Sequence, residues 1–226
     1  MCYLGISQSI TGIPEAMTLT VTRRHLAKLG FASAAVLALP PLTSPARAQS
    51  TTRNLAEMSL GDPDAPVTIV EYAMFTCPHC ATFHEEVFPR LKSEFIDTGK
   101  VRFVYREVYF NRPSLWAAMV ARCAPEDRYF GLVDLLFARQ SDWTGATNPE
   151  PMMEELFAIG KQAGLTDADL EACMSDREFA EALVAEFQKT AGEDGIESTP
   201  SFVINGEKVG NMSFEDFATR INAELG

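Results

Sequence analysis

Cys77-Pro78-His79-Cys80 sets two thiols one helical turn apart, the spacing at which they can open and close a disulfide between themselves. A thiol is a good nucleophile or leaving group only when its thiolate is stabilised. Thiol pKa values fall from about 8.5 to between roughly 3.5 and 7.5 beside unpaired helix N–H groups or positive charge. Cys77 is expected just before a helix, where free N–H groups and the positive end of the helix dipole face its sulfur. Pro78 suits the first helical position, since the N–H it lacks has no partner there. His79 can add a positive charge or a hydrogen-bond donor. At the low end the shift is about 5 units, on the order of 7 kcal/mol in favour of thiolate. Stabilising the reduced form in this way makes the disulfide a stronger oxidant. The chemistry indicated is dithiol–disulfide exchange, with Cys77 and Cys80 as the catalytic pair. A plainer reading is a static bridge or half of a zinc site. Zinc needs two further ligands. After residue 48 the histidines are His79 and His84, and no second Cys-x-x-Cys occurs. No metal and no organic cofactor are expected.

These residues need a strand and a helix to hold them. Val67 to Phe75 is nearly continuous in apolar residues apart from Thr68 and Glu71, the pattern of a strand buried on both faces. Phe83, Val87, Leu91 and Phe95 recur at spacings of four, an apolar stripe ending near Gly99. Val101 to Phe110 reads as a second strand. Helices are then expected over Ser114 to Ala124, Glu126 to Arg139, Pro149 to Ala163, Asp167 to Met174 and Arg177 to Glu193. Asn205-Gly206 lies between two short strand-like runs, Ser201 to Ile204 and Glu207 to Val209, and signals a hairpin. Phe214 to Leu225 reads as a closing helix. Gln49 to Pro66 is read as polar connecting chain. The order gives an α/β fold interrupted by an all-helical insertion.

Residues 1–48 are read as a secretory signal peptide. A basic stretch from Thr22 to Lys28, an apolar run from Leu29 to Leu42 and a small-x-small site at Ala46-Arg47-Ala48 follow in order. Cleavage is expected after Ala48. Arg23-Arg24 with Leu26 resembles a twin-arginine signal, and Met17 is a candidate start. A membrane anchor is the alternative, but the run is shorter than the roughly 20 residues a span needs, and Pro40-Pro41 breaks it. The remaining chain keeps 15 of 19 basic and 30 of 31 acidic residues, a net charge of −15 that repels phosphate backbones. Nucleic acid is therefore not an expected partner. Cys77, Cys80, Cys123 and Cys173 remain, an even number that suits an oxidising compartment. A bridge between Cys123 and Cys173 would close a loop of about 50 residues, worth roughly 4 kcal/mol. The other reading is two buried thiols.

The segment from Val70 to Cys80, Val-Glu-Tyr-Ala-Met-Phe-Thr-Cys-Pro-His-Cys, resembles the active-site region of the DsbA family. The likeness runs over most of the chain after residue 48 and implies a thioredoxin-like fold with an all-helical insertion, residues 49–110 and 194–226 forming the thioredoxin-like part and 111–193 the insertion. By that resemblance Thr199-Pro200 is the cis-proline loop, with Pro200 against the active-site disulfide and the neighbouring backbone pairing with extended substrate. Glu71 matches the family's buried acid, which moves protons to and from Cys80; otherwise it is a strand glutamate facing solvent. Some relatives also carry a second bridge in the helical region, as Cys123 and Cys173 would form.

The resemblance implies a periplasmic enzyme that introduces disulfides into reduced or unfolded exported proteins, is reoxidised by a DsbB-like membrane quinone reductase, and works as a monomer. One departure bears on direction. The best-known oxidase of the family has valine before the cis-proline, whereas isomerase and reductase relatives often have threonine, as Thr199 is here. Those isomerases use an N-terminal dimerisation domain, for which Gln49 to Leu60 leaves no room. A reductase or isomerase, or a chaperone or metal-delivery module, are the competing readings. Met74, Phe75, Phe202 and Met212 are candidates for an apolar groove or for core.

Overall fold

The computed structural model describes residues 55–146 and 148–226. The segment read as a signal peptide, its expected cleavage after Ala48 and Cys2 lie outside the described residues. Five strands form one sheet in the order β1-β3-β2-β4-β5: β1 Met58–Leu60, β2 Val67–Ala73, β3 Val101–Glu107, β4 Ser201–Ile204 and β5 Glu207–Gly210. The central pair β2 and β3 is parallel, in register from Val67 opposite Val101 to Ala73 opposite Glu107. β1, β4 and β5 each join their neighbours antiparallel.

The two faces of β2 feed different cores, as a period of two requires. Val67, Ile69 and Ala73 enter the main core, while Tyr72 joins Val108, Ala191, Ile196 and Val203 on the other face. The β4–β5 hairpin turns on Asn205 at φ 45° and Gly206 at φ 88°, the paired positive φ values that Asn-Gly favours.

After β2 the chain enters helix at α1 Pro78–Thr82 and continues through a π-helical turn Phe83–Val87, α2 Phe88–Leu91 and a second π turn Lys92–Ile96. The first widening lies directly ahead of Pro89, which cannot donate to the preceding turn. It also alters the expected stripe: Phe83, Leu91 and Phe95 are buried, but Phe88 is buried where Val87 is only partly so.

The helical insertion comprises α3 Arg112–Cys123, α4 Glu126–Ala138, α5 Gln140–Thr144, α6 Pro149–Gln162, α7 Asp167–Met174 and α8 Arg177–Glu193, and α9 Phe214–Leu225 closes the chain. Two elements depart from expectation. β1 occupies chain read as polar connector, and α5 follows α4 where no separate helix is expected. Cys123 and Cys173 are bonded, joining α3 to α7. Phe75 and Phe202 are fully buried, so they are core and not groove; Met74 and Met212 are partly buried.

Candidate active site

Cys77 stands at the junction of β2 and α1 in extended conformation (φ −86°, ψ 119°), with Pro78 in the first helical turn. Its carbonyl accepts from the N–H groups of Cys80 (3.1 Å) and Ala81 (3.2 Å), and its own N–H donates to Met74 O at 2.9 Å. Three residues from the insertion fix the loop ahead of it. Ser114 Oγ accepts from Phe75 N (3.1 Å) and donates to Val108 O (3.0 Å). Asn111, which caps α3 through Ser114 N, donates from Nδ2 to Thr76 Oγ1 at 2.8 Å. Gln140 Nε2 donates to the carbonyls of both Phe75 (2.7 Å) and Cys77 (2.9 Å). Asn111 carries a helix-start signal, followed by Pro113 in the first turn, but nothing in the sequence ties it to Thr76; Ser114 and Gln140 carry no motif.

The two sulfurs sit in unlike environments. Cys77 is 7% exposed and Cys80 is fully buried. The Cys77 thiol is brought down to about 5, chiefly by a hydrogen bond from Cys80. Burial opposes this, and Thr199 and the backbone groups of Cys80 and His79 add to it. Cys80 is driven the other way: burial holds its thiol far above the ordinary range, helped by its bond to Cys77 and by the charge of Glu71. One cysteine is therefore a thiolate at neutral pH and the other a thiol. Pro78 and His79 are both exposed, and it is the His79 backbone that bears on Cys77. The Thr199–Pro200 bond is cis, and Cys77 Sγ as a thiol donates to Thr199 O at 3.3 Å.

Glu71, on β2, is wholly buried. Its Oε2 lies 2.9 Å from His84 Nε2, and its Oε1 has no hydrogen-bond partner. The ring of His84 is stacked on Phe137 at 4.4 Å between centroids. His84 has no role in the sequence reading beyond that of an insufficient metal ligand. Its place beside Glu71 follows from the helix running back over the sheet.

The thioredoxin family model matches residues 53–223. A Rickettsia bellii protein named a protein-disulfide oxidoreductase is 32% identical over 170 residues, covering 75% of this chain and 64% of that protein. Disulfide bond formation protein D of Bacillus subtilis is 27% identical over 174 residues, with 74% of this chain and 76% of that protein covered. The chain thus spans 60% to 64% of the length of rickettsial relatives such as those of Rickettsia bellii and Rickettsia felis. Among solved structures, Wolbachia pipientis alpha-DsbA1 matches with a TM-score of 0.68 at 28% identity, over 75% of this chain and 91% of that one. Oxidised BdbD from Bacillus subtilis matches with a TM-score of 0.66 at 26% identity, over 75% and 92%. With the family model matched over residues 53–223 and DsbA proteins among its structural neighbours, this chain belongs to the thioredoxin family, in its DsbA-like branch.

Proposed function

We propose that this chain is a thiol-disulfide oxidoreductase that introduces disulfides into exported proteins in the periplasm. The observation that carries this is the split between the two thiols. A Cys77 thiolate stabilised to a pKa of about 5 is a good leaving group at neutral pH. A stabilised reduced form makes the Cys77–Cys80 disulfide oxidising.

A reduced substrate thiolate attacks Cys77 Sγ, the Cys77–Cys80 bond breaks, and its electron pair leaves on Cys80 Sγ, which takes up a proton. The substrate's second thiolate then attacks the mixed disulfide, its new disulfide forms, and Cys77 departs as thiolate. The backbone beside Thr199 and Pro200 aligns the extended substrate, and Glu71 passes the proton at Cys80. The backbone N–H groups of His79 and Cys80 favour the thiolate, and Pro78 sets the helical turn that presents them. The reduced protein needs an electron acceptor, by family analogy a DsbB-like membrane quinone reductase. The chain acts as a monomer, and its leader is removed after Ala48.

Thr199 ahead of the cis-proline supports a second reading, a reductase or isomerase on the same site. Equilibration of the purified chain with glutathione, read by alkylating Cys77, separates the two. The oxidase reading expects a potential near −120 mV, the DsbA value; one near −270 mV, as in thioredoxin, makes the protein a reductase. Absence of exchange eliminates both.

A further inference from the structure

Every passage of the active-site disulfide through reduction puts a proton on Cys80, and every reoxidation takes it off. Cys80 and Glu71 are both fully buried. Glu71 therefore has no direct contact with water through which to renew the proton it passes. Its one hydrogen-bonded neighbour among the described residues is His84.

His84 has the form of a relay. One ring nitrogen, Nε2, faces Glu71 Oε2 at 2.9 Å, and the other, Nδ1, is buried without a hydrogen-bond partner. An imidazole can take a proton at one nitrogen and release another from the second, which a carboxylate–amide or carboxylate–lysine pair cannot do. Stacking on Phe137 and an edge contact with Phe83 hold the ring in place. The same ring forms part of the wall of a surface pocket of about 380 Å³, together with Glu85, Lys92 and Asp134. His84 thus lies between the buried acid and the pocket.

We propose that His84 is the outward station of a proton path, carrying protons between Glu71 and the surface pocket so that Cys80 can exchange with solvent without being exposed to it. This rests on Glu71 serving Cys80, as above. His84 touches Glu71 and not the sulfurs, so it is a positioning and relay residue and not a catalytic one. In the donation direction the electron pair of the broken S–S bond goes to Cys80 Sγ with a proton from Glu71. Glu71 recovers that proton from Nε2 of His84, and Nδ1 is reprotonated from the pocket. Reoxidation runs the same path outward. The ionisable groups around the ring are Glu71 on β2, Tyr105 on β3, Asp134 on α4, and Glu85 and Lys92 on its own helical run. Burial raises the Asp134 carboxyl above its ordinary range, opposed in lesser part by the charges of His84 and Lys92. Tyr105 meets the ring edge-on at 5.8 Å, and its hydroxyl has no hydrogen-bond partner.

A bland alternative is that His84 only supplies a donor to a buried carboxylate. Glutamine at 84 keeps a donor but cannot relay, and alanine opens a hole next to the pocket into which free imidazole fits. The experiment loads Cys77 of the full chain with glutathione and follows release of glutathione by Cys80 at pH 7. Wild type, His84→Gln, His84→Ala and Glu71→Gln are compared, the alanine variant also with added imidazole. The relay expects all three variants to be slower by about tenfold or more, with added imidazole recovering much of the His84→Ala rate in a saturable way. The pH midpoint of Cys77 alkylation should stay near 5 in the His84 variants. A wild-type rate in His84→Gln overturns the relay, as does a slow His84→Ala that imidazole leaves unchanged. If Glu71→Gln is slow while His84→Ala is not, the relay alone falls. An unaffected Glu71→Gln removes the role of Glu71 and the path through it.

Discussion

The Cys77 sulfur has a folded-state pKa of about 5 against an ordinary value of 9.0. A depressed acid stabilises the fold where it is ionised in the native state and not in the unfolded one. For the reduced protein this contribution grows from pH 5 up to about pH 9 and is lost as pH falls through 5. The oxidised protein has no such group. The melting temperature of the reduced form should therefore rise relative to the oxidised form between pH 5 and pH 8, and the gap should narrow toward pH 4. Parallel melts of the two redox forms measure this, and a difference that stays flat across that range would remove the thiolate from the account. The placement of Cys77, Pro78 and Cys80 at a helix start is legible in the sequence because each cause is local: a proline at the first helical position and a partner three residues on. Glu71 needed the strand pattern around it, which made a charge there costly unless it is used. His84, Ser114 and Gln140 carry no such local pattern. Their partners lie 13, 39 and 65 residues away, and only the fold brings them together.

Between elements, the junction that braces the helical insertion against the sheet is a buried ion pair. Arg122 at the end of α3 reaches Glu107 at the end of β3 through Nε at 2.5 Å and Nη2 at 2.8 Å. Tyr129 on α4 donates to the same carboxylate at 2.6 Å. The side chains of Arg122 and Glu107 are 8% and 4% exposed, so removing one leaves the other charged and out of water. Arg122→Met should cost about 3–5 kcal/mol in a denaturant titration. Adding Glu107→Gln should return part of that loss, since the uncompensated charge goes with it; a fully additive pair would mean the two do not act as a unit. The helices on either side of this junction are expected from the sequence, and Asp167–Met174, Arg177–Glu193 and Phe214–Leu225 have the bounds expected. β1 has three residues and α5 five, too few to repeat a pattern more than once. The π turn ahead of Pro89 shows the converse limit, a regular stripe whose register a single missing N–H shifts by one residue.

At the scale of the whole chain, the described residues hold two sulfur pairs, Cys77 with Cys80 at the candidate site and Cys123 bonded to Cys173 in the helical insertion. The Cys123–Cys173 bond closes a 50-residue loop that spans α3 to α7. A cross-link of that length restricts the unfolded chain most, by up to about 4 kcal/mol in the chain-entropy model. It attaches at the C-terminal end of α3, whereas Asn111 and Ser114 brace the active-site loop at the N-terminal end. At 1.5 Å per residue the two ends of this twelve-residue helix are separated by roughly 16 Å. α3 is held independently at both places, by its Asn111 cap and Ser114 bridge and by the Arg122–Glu107 pair. Cys123→Ala with Cys173→Ala should therefore lower stability by up to about 4 kcal/mol while leaving the glutathione equilibrium of Cys77–Cys80 where it was. Loss of stability alone would place the bridge's effect in the unfolded chain. A shift in the Cys77–Cys80 potential would instead mean that α3 transmits the loss along its length, and that the bridge belongs to the site it stands behind.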